Sequence, residues 1–151
     1  MDKLPPIEKV YEAWGALADG RVEPTSEGAL VISSDRTKRY EVRREGNSYR
    51  SNDNATYWQG YAGYPIIATL MLEGRLPYDE ATAQLFSGVD WHAVNAAHKG
   101  DYGAALAQVM GERGIDGVQE RRVREAAGQV LERLASLDVA VGRNGRKPKG
   151  L

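Results

Sequence analysis

Few side chains in this chain have the type and spacing to do chemistry. Asp53 is followed by Tyr57 and Tyr61, so one carboxylate and two phenols fall within a short segment. Such a set can exchange protons or hold a small polar ligand. The plainer role for Asp53 is an Asx turn or a helix cap. Tyr57, Trp58, Tyr61 and Tyr64 crowd the same stretch. These rings can stack on bases, line a pocket or serve as core, and core is the preferred reading. Arg39, Arg43, Arg44 and Arg50 form the third set. Guanidiniums on a hairpin can contact phosphates. Glu41 and Glu45 lie among them, so a solvated sheet face is the plainer reading. His92 and His98 are six apart and fall on different faces of a helix, with no H-E-x-x-H spacing. The sequence of 151 residues has no cysteine, which excludes disulfides and thiolate metal sites. No metal or other cofactor is expected. Phosphate-loop, dinucleotide-binding and nucleophile-elbow motifs are missing.

The net charge of −1 does not point to nucleic acid, but its distribution is uneven. One basic island lies in residues 36–50. A second, Arg143, Arg146, Lys147 and Lys149, ends the chain with no acid among its last nine residues. The longest apolar run, Pro65–Leu72, is far short of the roughly 20 residues that cross a bilayer. No membrane partner is expected, and a cytoplasmic location fits the missing cysteines and signal segment.

Helical spacing of Ile7, Val10, Tyr11, Trp14, Leu17 and Ala18 predicts a helix over 5–18, stopped by Asp19-Gly20. Strands are predicted at 20–23, 29–33, 37–44 and 48–51, with turns at Ser34-Asp35-Arg36 and Glu45-Gly46-Asn47. Residues 52–63 read as a loop. Pro65 opens an apolar helix to Glu73, which must be central. Helices at 78–86, 91–98, 102–112 and 117–137 follow, and 139–151 reads as a basic, flexible tail. The fold class is therefore α+β. A small antiparallel sheet of three or four strands and an N-terminal helix pack on a buried central helix, followed by a helical half. Residues 1–138 form one domain, with a helical extension at 77–138.

Residues 20–73 resemble a SWIM-type zinc finger. Tyr40-Glu41-Val42 stands where that family has Tyr-x-Val. Tyr49-Arg50-Ser51-Asn52-Asp53 stands where it has Cys-x-Cys-Pro-Asp, and Gly63-Tyr64-Pro65-Ile66-Ile67-Ala68 where it has Cys-x-His-Ile-x-Ala. The upstream strands also fit. The four ligand positions hold Tyr49, Ser51, Gly63 and Pro65, so metal binding does not carry over. The loop aromatics are then the natural replacement for the missing zinc. The resemblance implies a non-catalytic binding or adaptor module for nucleic acid or protein, with the arginines as its contact surface. The alternative is a small enzyme or ligand-binding protein with a site at the aromatic loop around Asp53. The two separate structurally. A binder presents a basic stripe and no deep pocket; an enzyme has a cleft in which a carboxylate of raised pKa sits beside tyrosines. A third reading is a homodimer built on the apolar stripe of the last helix.

Overall fold

The computed structural model describes residues 1–151. Its architecture is α+β, as the patterning predicts. The first helix, α1 (Glu8–Ala18), turns Val10, Ala13 and Trp14 inward and stops at Gly20, whose φ of 67° favours glycine. Four strands follow: β1 (Val22–Pro24), β2 (Gly28–Ile32), β3 (Lys38–Glu45) and β4 (Ser48–Ser51). They form an antiparallel meander in register Val31↔Tyr40 and Val42↔Ser51. This register puts Val31, Tyr40, Val42, Tyr49 and Ser51 on the inner face. Arg39, Glu41, Arg43 and Arg50 share the outer one.

The segment 52–63 contains a short helix, α2 (Asn54–Gln59), where a loop was expected. Asp53 caps it through Thr56 N at 3.1 Å, and Gly60 ends it in the left-handed region. Its six residues are too few for a helical period to show in sequence. The apolar helix α3 (Tyr64–Leu72) begins with Pro65 in its first turn and buries residues 65–71. It is central, touching β1 to β4 on one side and α1 on the other. Behind it come α4 (Glu80–Gln84), α5 (Trp91–Ala97), α6 (Tyr102–Glu112) and α7 (Gly117–Ser136). Asp79, Asp90 and Asp101 each accept from the backbone N–H three residues on, capping α4, α5 and α6. Tyr11, Trp14 and Phe86 meet in the core, Tyr11 edge-on to the other two at centroid distances of 5.0 and 5.1 Å. The stripe of α7, Val123, Ala127, Val130 and Leu134, is buried in this same core, which leaves no uncovered stripe for a second copy.

The end of the chain departs from the flexible tail expected at 139–151. Residues Ala140–Arg143 form β5, parallel to β4, and Lys149–Gly150 form β6 against β3. Ala140 N donates to Asn47 O and Asn144 N to Ser51 O, both at 2.9 Å. An uncovered β4 would leave a row of unpaired N–H and C=O groups. β5 satisfies them and tucks Val139 into the core. Glycine and basic residues suggested fraying; a pairing partner some ninety residues away in sequence is invisible to local composition. No helix is long and apolar enough to cross a membrane.

Candidate ligand-binding cleft

A cleft of about 420 Å³ opens where α1, the β2–β3 turn, the start of α2, Tyr64, α5 and the amino end of α6 converge. Lys9 and Glu12, one turn apart on α1, line it together with Asn95 of α5 and Tyr102 of α6. Tyr40 from β3 and Tyr64 from α3 add a wall of two rings, edge to face at 6.4 Å. The β2–β3 turn forms the mouth. Asp35 holds that turn by accepting from Ser33 Oγ (2.8 Å), Thr37 Oγ1 (2.7 Å) and Thr37 N (3.1 Å). These bonds draw its carboxyl down to about 2. Ser34 Oγ accepts from His92 N at 2.9 Å and donates to Asp90 Oδ1, which ties the turn to the amino end of α5. His92 Nε2 lies 3.9 Å from Asp35 Oδ2 at the rim.

The floor holds three buried ionisable groups: Lys9, Glu12 and Asp53 are 7%, 5% and 3% exposed. Lys9 Nζ is 3.1 Å from Glu12 Oε2 and 4.4 Å from the centroid of the Tyr102 ring. Lys9 and Asn95 both hydrogen-bond the Glu12 carboxylate, although the ammonium is poorly aligned on Oε2. Burial pushes the Glu12 carboxyl up, with Lys9 opposing. Burial pulls Lys9 down, but Glu12 and then Tyr102 outweigh it, and the ammonium is held above its ordinary value. Burial also raises Asp53, against hydrogen bonds from Ser51 and Thr56. Tyr64 is driven well above the usual phenol range by burial, and Tyr40 reaches about 12 for the same reason.

Asp53 lines this cleft, but its oxygens are already occupied: Oδ1 accepts from Ser51 Oγ and Oδ2 from Thr56 N. Gly63 N donates to Thr56 Oγ1 at 3.0 Å, and the Gly63 Cα packs so closely that a methyl there would overlap Asp53 Oδ2. Ser51 and Gly63, two positions the resemblance sets against zinc ligands, thus meet in a small hydrogen-bonded knot around Asp53. Tyr49, a third, donates to Glu73 Oε1 at 2.6 Å and accepts from Arg75 at 3.0 Å. Nowhere do three His, Asp or Glu side chains gather closely enough to hold a metal ion.

The aromatic loop does not act as one cluster. Trp58 is 73% exposed and touches Tyr57, over which Arg143 lies 5.0 Å from the ring centroid. Tyr61 and Tyr64 turn inward. The expectation that all four rings replace a metal is corrected: Trp58 follows α2 outward, and the polar knot around Asp53 holds this region instead. The four arginines divide as well. Arg44 points to the inner side and pairs with Glu73, because side chains alternate along β3. Arg43 is held by Glu41 at 2.7 Å and Glu27 at 3.4 Å. Arg39 and Arg50 carry no ion pair.

Arg39 is joined by residues that sequence keeps far apart. Lys149 is its partner in register, and Arg146 reaches Glu41 at 3.6 Å. These groups, with Lys147, border a smaller hollow of about 300 Å³ on the outer sheet face, where Glu27 and Glu41 also lie.

Lys9, Glu12, Asn95 and Tyr102 were not singled out by sequence reasoning. The available signal was Lys9 and Glu12 set between apolar residues on a helix with a broad buried face. No curated protein and no solved structure matches this chain. Residues 2–140 match the family model described as uncharacterised conserved protein UCP014422, and the chain belongs to that family.

Proposed function

We propose that this chain binds a small polar ligand in the cleft and that Glu12 is the group there able to accept or release a proton. The observation that carries the reading is the cavity of about 420 Å³, whose lining joins the buried Lys9–Glu12 pair to Asn95 and the Tyr40, Tyr64 and Tyr102 side chains. A carboxyl raised by burial beside tyrosines is also the arrangement expected of an acid–base site. Titrating the 15N-labelled chain with a library of small polar fragments tests this. Saturable shifts at the amides of Lys9, Glu12, Asn95 and Tyr102 are expected. A library that leaves all four unmoved would sink the proposal.

A second reading rests on the outer face. The two basic islands of the sequence meet there through the pairing of β6 with β3, which favours an anionic partner at Arg39, Arg146, Lys147 and Lys149. The resemblance to SWIM modules implies the same class of role, nucleic-acid or protein binding. The glutamates among these cations weaken it. Binding of a single-stranded oligonucleotide that falls steeply with salt and maps to Arg39 and Lys149 would support it.

A further inference from the structure

We infer that the ligand of the cleft is a neutral carbonyl compound whose oxygen accepts hydrogen bonds from the hydroxyls of Tyr40 and Tyr64. This inference rests on the cleft being a ligand site. Both tyrosines line the cleft, edge to face at 6.4 Å. Their rings pack against the core, which leaves each side chain a polar tip to satisfy. Neither hydroxyl has a hydrogen-bond partner in the protein, and neither is sealed away, as the indole N–H groups of Trp14 and Trp91 are. Burial lifts both phenols above their ordinary range, so each keeps a proton to donate.

The carboxylates of the cleft, in contrast, already have donors. Glu12 is held by Lys9 and Asn95, and Asp53 by Ser51 and Thr56. Asp35 takes Ser33 and Thr37, with the His92 ring 3.9 Å from its other oxygen. A ligand ammonium would have to compete with these donors. A ligand anion would enter beside three carboxylates and only two ammoniums, Lys9 and Lys38, and would add to the excess. A carbonyl oxygen brings two lone pairs, no charge and no proton to place. It fits two phenols that have protons to give, with ring faces beside them for the ligand's apolar body. A ligand hydroxyl would bring one more proton to carboxylates that already have partners.

The test uses the full chain, 15N-labelled and titrated separately at matched ionic strength with cyclohexanone, cyclohexanol, acetate and ethylammonium. Cyclohexanone should shift the amides of Tyr40, Tyr64 and Asn95 saturably. Cyclohexanol, the same ring with a hydroxyl, should bind about threefold more weakly, and this comparison needs no variant. Tyr40→Phe and Tyr64→Phe keep the ring and remove the hydroxyl. Each should weaken cyclohexanone by about two- to tenfold, the loss of one neutral hydrogen bond. Ketone affinity unchanged in both folded variants would overturn the inference, as would cyclohexanol binding as tightly as the ketone. Saturable shifts at these residues by acetate or ethylammonium, with none from the ketone, would overturn the neutral class and leave the cleft as a ligand site. Silence from all four probes would overturn it as well, and the fragment titration then decides the cleft by itself.

Discussion

Glu12 Oε2 lies 3.1 Å from Lys9 Nζ, one helical turn away on α1, with both side chains more than nine-tenths enclosed. On an exposed helix this i, i+3 pair would be worth a few tenths of a kcal/mol. Enclosure changes its character, because each charge now depends on the other for compensation. Lys9→Met should destabilise the fold by about 3–5 kcal/mol, the usual result of stranding one charge of a buried pair. Lys9→Met with Glu12→Leu should recover most of that loss. Urea unfolding at pH 7 measures both, and a double variant no better than Lys9→Met would show that the pair is not coupled.

The acids of the cleft should respond to pH in opposite senses. Glu12 and Asp53 are raised in the folded chain, so their contribution to stability is full below their unfolded values of 4.5 and 3.8. It is lost as pH rises through the folded values. Asp35 is lowered, from 3.8 to about 2, so its contribution is present above 3.8 and lost as pH falls through about 2. Urea midpoints followed across pH should therefore fall less on the neutral side for Glu12→Gln than for the parent chain. They should fall less on the acid side for Asp35→Asn. A Glu12→Gln curve parallel to the parent curve above pH 4.5 would refute the buried carboxyl.

Trp58 and Trp14 should behave in contrast. Trp58 is 73% exposed, so Trp58→Ala should move stability by no more than about 0.5 kcal/mol. Trp14 is 1% exposed against Tyr11 and Phe86, so Trp14→Ala should lose about 3–5 kcal/mol. Thermal melts distinguish these directly, and a large loss at Trp58 would restore the loop aromatics as a structural replacement for metal.

Gly63 and Asp53 should be coupled. Gly63→Ala places a methyl on Asp53 Oδ2 and should lose about 1–3 kcal/mol by overpacking. Asp53→Ala removes the cap of α2 and should lose about 1–2 kcal/mol. Together the losses should fall short of additive, since removing the carboxylate makes room for the methyl. Strict additivity in a double-mutant cycle would rule out the close contact.

Ending the chain before Val139 should expose the β4 edge and lose about 2 kcal/mol, roughly the burial of one aliphatic side chain. The shortened chain should also self-associate through that edge, visible in light scattering. A shortened chain as stable as the parent would show that β5 contributes nothing.

The sequence by itself determined what depends on near neighbours. The spacing of Val10, Tyr11 and Trp14 specified α1, and Tyr40 and Val42 alternating with Arg39, Glu41 and Arg43 specified β3. Pro65 ahead of an unbroken apolar run specified a central α3, and Asp90 and Asp101 marked the starts of α5 and α6. These signals are local, because helix and strand periods and caps are set within a few residues. Asp53 was legible too, as a cap. Tertiary structure alone decided what Lys9 and Glu12 are for. In sequence they are an ordinary surface-like pair; burial beneath Tyr102 and Asn95, some ninety residues on, makes each charge depend on the other. It also sent Arg44 and Trp58 away from their sequence neighbours and brought Lys149 to Arg39. Burial and long-range pairing are properties of the packed chain, and the charge and hydrogen-bond state of a side chain follows from them.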